Sequence, residues 1–177
     1  MTSSRDLPPF RVQRSVIHGT GVFATRHIRK GTRIVEYLGE RVSHAEANRR
    51  YRDKDVHDNH TFLFTIDSRT VIDAAVGGND ARFINHCCDP NCETVMENRR
   101  VFIEAIRDIE PGDELGYDYM IRHEAGDPPN IAEIFACHCG APACRGTMLL
   151  PPQEPQPPRK PRRRARQPVA GSRPGRR

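Results

Sequence analysis

Tryptophan is absent, and aromatic residues make up only 6% of the chain. Lysine is nearly missing too: Lys30, Lys54 and Lys160 stand among 28 basic residues, the rest being arginine. No apolar run reaches the roughly 18 residues that a membrane-spanning helix needs. Met1–Phe10 holds two prolines and charged side chains but no apolar h-region, so no secretory signal is expected there. The expected setting is therefore a reducing one, where six cysteines point to a metal or to chemistry rather than to disulfides. HExxH and phosphate-loop patterns are missing, and the spacing specifies no Ser-His-Asp or Cys-His nucleophile arrangement. Gly19 and Gly21 lack the third glycine of a dinucleotide loop. There is no internal repeat.

What is there divides into two parts. The 177 residues suit one modest domain and a tail. From Pro151 to Arg177 lie nine of the 28 basic residues and one of the 23 acidic ones, leaving 19 against 22 in the body. A body of net charge −3 thus carries a tail of +8. The tail is rich in proline and almost free of apolar side chains, so it is expected to be disordered. It reads either as a phosphate-contacting arm for nucleic acid or as a solvated tail without a fixed partner.

The body reads as many short strands with frequent turns. Strands are expected over Phe10–Val16, Val22–Thr25, Arg33–Tyr37, Thr61–Asp67 and Val71–Ala75. Glu93–Glu97 and Arg100–Ile106 form an expected hairpin about Asn98. Glu110-Pro111-Gly112-Asp113 has the proline and glycine positions of a type II turn leading into Leu115–Tyr119. Ser43-His44-Ala45-Glu46 is a capping box opening a helix to about Asp53. A loop then runs through Arg49–His60. Asn79 is placed to cap a short helix, Met120–Pro129 reads as a loop, and Ile131–Phe135 as one helical turn. The balance is mainly β.

The cysteines carry the clearest chemical signal. Cys137, Cys139 and Cys144 fall within eight residues, separated by Gly140 and Pro142. Thiolates favour soft tetrahedral metals, and a closed structural zinc site takes four ligands. The fourth must come from Cys87, Cys88 or Cys92, and such a site would clamp the C-terminal segment onto Asn85-His86. Buried free thiols are the alternative. His138 reads as a loop residue and Cys87 as a small buried one. Tyr117 and Tyr119, at strand spacing, put two phenols on one face, either as packing or as function. Asn85-His86 is equally open between a buried hydrogen-bonding pair and a site.

The order of these stretches resembles the SET-domain protein lysine methyltransferases, trithorax- and Ash-like, with a zinc-binding post-SET segment. His18-Gly19-Thr20-Gly21, Tyr37-x-Gly39, Arg82-Phe83-Ile84-Asn85-His86 and Glu114 through Tyr119 match the family's four motifs in order. The resemblance spans about Phe10–Leu149. It implies a SET fold of small β-clip-like sheets with short helices, a pseudoknot and a zinc-stapled loop. The implied division is a SET domain over 8–120, a post-SET segment over 121–150 and the tail over 151–177. It implies S-adenosylmethionine held by His18, Gly19, Thr20, Gly21, Phe62, Arg82, Asn85, His86 and Tyr119. Tyr119 is implied as catalytic, with Tyr117 and Tyr37 beside the transfer pore. Structural zinc would sit on Cys88, Cys137, Cys139 and Cys144.

The implied activity is methylation of lysine in a basic, histone-like or nucleoid-type protein. That protein would lie as an added strand between the 43–66 insert and the post-SET loop. Tyr117 stands at the family's Phe/Tyr switch, which implies mainly monomethylation. Lys160, in a basic setting, is a candidate for self-methylation. The other class of function is a zinc-stabilised nucleic-acid or chromatin binding module with vestigial chemistry. Two settings are expected: the nucleus or chromosome, and the bacterial cytoplasm, with action at home or inside a host. Three departures from the family pattern stand out. Cys87 replaces the usual Ser, Phe62 replaces a Tyr near the cofactor, and Gly116 replaces a Thr-like residue and is expected to loosen its strand.

Overall fold

The computed structural model describes residues 7–53, 61–124 and 126–151. All of the expected disordered tail except Pro151, with Lys160 in it, lies outside the described residues, as does part of the loop expected before His60.

The described residues form a mainly β structure of four small sheets. β1 (Phe10–Arg14) pairs antiparallel with β2 (Thr20–Ala24). β3 (Arg33–Glu36) opens a three-stranded sheet, and β4 (Glu40–Val42) opens a second. β5 (Leu63–Thr65) and β6 (Val71–Asp73) complete the second sheet in the order β4-β6-β5. β7 (Asn85–His86) comes next, and β8 (Cys92–Glu97) and β9 (Arg100–Ala105) succeed it, giving the first sheet the order β3-β9-β8. β10 (Gly116–Tyr117) pairs with β7 in parallel. Apart from β2 and β8, which start earlier than expected, the strands are shorter than the hydrophobic pattern suggests, because turns begin inside it. The Asp73 carboxylate, for instance, accepts the Ala75 N–H at 3.1 Å and bends the chain out of β6.

Local chemistry accounts for most connections. The β8–β9 turn needs positive φ at both central residues, Asn98 at 49° and Arg99 at 63°. Asn tolerates that region; Arg99 is held there by Asp67 and Thr70, 2.6 and 2.8 Å away. Gly112 at φ 97° closes the expected type II turn with an Asp113 N–H to Glu110 carbonyl bond of 3.1 Å. Helix α1 (His44–Arg50) starts at Ser43, whose hydroxyl accepts the Glu46 N–H at 3.1 Å. It stops short of Asp53, because Tyr51 turns its hydroxyl onto buried Asp73 at 2.9 Å. Helix α2 (Ile131–Ile134) is the expected single turn. Asn79 does not cap the 3-10 turn Asp80–Phe83. Its amide instead bridges Glu36 O and Leu38 N–H, at 2.8 and 3.3 Å, tying that turn to the end of β3.

The core gathers Val22, Ile72, Ile84, Ile103, Ile109 and Leu115, each at most 2% exposed. Truncating one such side chain to Ala costs about 2–5 kcal/mol. Cys92 belongs to this core, and burial pushes its thiol up to about 12.

The β7–β10 ladder is the part of the fold that builds the site. It joins Asn85 to Gly116 and His86 to Tyr117, residues far apart in the chain. Asn91 stitches the same crossing: its Nδ2 donates to Glu114 O at 2.8 Å and its Oδ1 accepts the Gly116 N–H at 2.9 Å. Gly116 does not loosen the strand. A Cβ there would stand 2.9 Å from the Cβ of Cys87 and 3.4 Å from Asn85 O, so the crossing is tight because Gly116 has no side chain.

Candidate functional site

A cavity of about 460 Å³ opens beside β7. Its wall draws on His18 and Gly19 of the β1–β2 turn, Thr20 at the start of β2, Phe62 before β5, and Arg82, Asn85 and His86 around β7. Tyr119 lines it too, and Glu133, Ala136, Cys137, His138 and Met148 border it from the C-terminal segment. Eight of the nine residues expected around the cofactor are in this wall. The exception is Gly21: its missing side chain makes room for the Glu114 carboxylate and for Ser15.

Asn85 is fixed by its own donors. Its Nδ2 reaches Glu114 Oε1 at 2.8 Å, Thr20 O at 3.1 Å and His18 O at 3.4 Å. Ser15 holds the other oxygen of Glu114 at 2.9 Å. With the amide hydrogens used on that side, Oδ1 is left in the cavity wall as an acceptor without a partner among the described residues. Arg82 lines the same wall. Its guanidinium stacks 4.7 Å from the Phe83 ring centre and 5.4 Å from that of Phe62. Nη1 donates to Ala74 O at 3.0 Å, but Nε is buried without a partner among the described residues.

His86 is 3% exposed. Burial, opposed by Asp118 and helped by Arg145, pulls its pKa down to about 4. Nδ1 accepts the Tyr119 N–H at 3.2 Å, so the ring proton sits on Nε2, which faces Cys88 Sγ at 3.3 Å.

Tyr117 and Tyr119 do share a face, with ring centres 4.9 Å apart. Tyr119 donates its hydroxyl to Ile84 O at 2.9 Å, and Tyr37 donates to Phe62 O at 3.2 Å. Tyr117 is buried, and its hydroxyl has no partner among the described residues. Tyr37 and Tyr117 lie behind the cavity wall rather than in it. Burial raises all three phenols above their ordinary pKa, so each stays protonated at neutral pH.

The sulfurs of Cys88, Cys137, Cys139 and Cys144 lie within 4.8 Å of one another. Cys88 Sγ is 3.7 Å from that of Cys137 and 4.0 Å from that of Cys144. A tetrahedral zinc with Zn–S near 2.3 Å sets its sulfurs about 3.8 Å apart, so the donor set fits. Backbone N–H groups also aim at these sulfurs, as thiolates require: Cys88 N to Cys139 at 3.5 Å, Arg145 N to Cys88 at 3.4 Å and Gly146 N to Cys144 at 3.4 Å. Burial pushes the Cys139 thiol up, yet the backbone N–H groups of Cys88 and Ala141 and the neighbouring Cys137 and Cys144 thiols bring it down to about 6, while burial raises those of Cys88 and Cys137. Cys87 and Cys92 stand outside the cluster.

The SET domain family model matches residues 19–120, more than half of the chain. The chain belongs to the SET-domain family. This SET domain is 42% identical over 145 residues to the H3 lysine-4 specific histone-lysine N-methyltransferase of Saccharomyces cerevisiae. That match takes in 78% of this chain and 13% of the yeast protein. It is 38% identical over 138 residues to the histone-lysine N-methyltransferase trithorax of Drosophila melanogaster, taking in 76% of this chain and 4% of trithorax. This SET domain therefore spans a small fraction of those relatives' length. Among solved structures it is similar to ctPRC2 in an autoinhibited conformation bound to S-adenosylmethionine. There the TM-score is 0.59 at 35% identity, over 63% of this chain and 15% of that one. An active polycomb repressive complex 2 in the stimulated state gives 0.59 at 37% identity, with the same coverage.

Several site residues of the SET domain carry no legible signal in the sequence. Glu133, Ala136 and Met148 enter the cavity only because the cysteine cluster folds their segment over it. His138 is in the wall as well, not merely in a loop. Asn91 and Glu114 shape the site from behind; the one hint was that Glu114 opens the fourth motif.

Proposed function

We propose that this SET domain is an S-adenosylmethionine-dependent methyltransferase acting on lysine in a basic, histone-type protein, and that it adds mainly one methyl group. The observation that carries the reading is the meeting of Asn85, His86 and Tyr119 in one cavity, with Tyr117 packed on Tyr119. The yeast and Drosophila relatives are histone-lysine N-methyltransferases, and one assembly of similar fold binds S-adenosylmethionine.

The cavity suits that cofactor in size and polarity. Asn85 Oδ1 would accept from an ammonium group, and Phe62 and Phe83 would offer their faces to an apolar ring. S-adenosylmethionine supplies an electrophilic methyl group on a sulfonium. The protein's part is positioning, because displacement at that methyl needs little acid-base help once the groups are in line. Tyr119, anchored on Ile84 O, presents its hydroxyl oxygen and neighbouring carbonyls to the methyl hydrogens. None of the three protonated phenols serves as a base. The surrounding burial instead favours the neutral form of an entering amine. The Tyr117 hydroxyl, packed beside the Tyr119 ring, would restrict room for further methyl groups.

β5 is an edge strand of its sheet, and its register with β6 turns the N–H and C=O groups of Leu63 and Thr65 outward. A basic peptide added there would run along the acidic body. Zinc on Cys88, Cys137, Cys139 and Cys144 is architectural, since four sulfurs leave no open position. The test is transfer of labelled methyl to core histones and to a nucleoid protein. Label on either, absent with Tyr119→Phe, supports the reading. Cofactor binding without label on any lysine would favour a binding module instead.

A further inference from the structure

The residue after the last cysteine reaches back to the segment that follows β10, between the two tyrosines. Arg145 grips Asp118 through two bonds of 2.8 and 3.0 Å. A fork of this kind fixes angle as well as distance. Asp118 stands between Tyr117 and Tyr119, and its Oδ1 also accepts the Met120 N–H at 3.1 Å. That bond holds Met120 in the left-handed region at φ 57°, where a side-chain-bearing residue seldom rests unless it is held. The turn so formed aims the Tyr119 N–H at His86 Nδ1, 3.2 Å away, and seats the Tyr119 hydroxyl on Ile84 O at 2.9 Å. On its other side, Arg145 gives its backbone N–H to Cys88 Sγ at 3.4 Å, and His86 Nε2 faces the same sulfur at 3.3 Å.

Two routes therefore run from Cys88 to Tyr119. One passes through His86. The other passes through Arg145 and Asp118. The fork is not an ordinary surface ion pair: the two side chains are 23% and 19% exposed, and Arg145 Nε is buried without a partner among the described residues. An arginine that served only to staple the fold would not have to meet the one carboxylate that shapes the turn after Tyr119.

We propose that Arg145 and Asp118 are positioning residues that couple the cysteine centre to Tyr119. Docking of the C-terminal segment then sets the cofactor cavity and the orientation of the phenol together. This rests on the methyltransferase reading for its purpose, but the coupling has a readout of its own. That readout is hydrogen exchange at the Tyr119 amide, measured on the full chain beside metal content, unfolding temperature, and kcat and KM. Arg145→Ala is expected to keep its metal and its unfolding transition. It should exchange the Tyr119 amide faster and lose roughly 10- to 100-fold in kcat, the scale typical of lost outer-shell contacts. KM for the acceptor should be unchanged. Arg145→Lys should recover part of both losses, as should Asp118→Asn, which keeps an acceptor for Met120. Wild-type exchange and kcat in Arg145→Ala overturn the proposal. So does faster exchange that merely tracks lost metal or lost fold. If the wild-type protein transfers no methyl group, the exchange and metal readouts still decide the coupling, and the functional reading falls separately.

Discussion

Asn85 and Glu114 meet at 2.8 Å, Nδ2 to Oε1, across the β7–β10 crossing. The carboxylate holds the amide so that its hydrogens point at the protein and its oxygen is left for a ligand. Glu114→Ala should therefore free the amide to rotate and weaken cofactor binding. A hydrogen bond to a charged group is worth about 1.5–3 kcal/mol, or roughly 10- to 150-fold in affinity. Calorimetry with S-adenosylhomocysteine would measure it, and an unchanged affinity would show that Glu114 does not orient the site.

Tyr117 sets the room beside Tyr119. Removing its unpartnered hydroxyl in Tyr117→Phe should leave the fold intact and shift products from monomethyl- toward di- and trimethyl-lysine. Mass spectrometry of product peptides distinguishes the states. Predominant trimethyl-lysine from the wild-type protein at low turnover would contradict the role given to Tyr117.

The cysteine centre should govern the cavity at a distance. A strong chelator, or Cys88→Ser, should release the segment bearing Glu133, His138 and Met148 and reduce cofactor affinity at least as much as loss of Asn85. Equilibrium binding before and after zinc is restored is the check. Affinity that survives complete metal removal would detach the cluster from the cavity.

Asp73 should set the acid limit of stability. Burial pushes its carboxyl up, but bonds from Arg50, Tyr51 and the Ala75 N–H outweigh burial and leave its pKa below the ordinary 3.8. The stabilisation is therefore complete above that ordinary value and is lost as pH falls through the folded one. Asp73→Asn leaves Arg50 paired with Glu40 and Glu46 but removes the buried charged acceptor of three hydrogen bonds, and should cost about 1.5–3 kcal/mol. Urea unfolding at neutral and acid pH would show a gap that closes as the pH falls.

The two levels of structure were unequally readable. That a metal on three thiols in eight residues needs a distant fourth was legible, but the choice of Cys88 over Cys87 and Cys92 came from the family resemblance. The Pro111-Gly112 turn and the Ser43 cap were legible because each is satisfied within four residues. The β7–β10 ladder was not, since two-residue strands carry no period and their pairing is non-local. Gly116 was misjudged for the same reason: its meaning lies in the approach of Cys87, which no local pattern encodes. Arg145 looked like another arginine in an arginine-rich chain until the fold set it against Asp118.

Lysine methylation by this SET domain is tested most simply by intact-mass analysis of a lysine-containing basic peptide incubated with the full chain and S-adenosylmethionine. Tyr119→Phe and Asn85→Ala are run beside it, with zinc content verified in all three. One added methyl group per acceptor lysine is expected with the wild-type protein, and none at matched times with either variant. Equal methylation by Tyr119→Phe, or no mass change with zinc-loaded wild-type protein on any basic acceptor, would contradict the assignment.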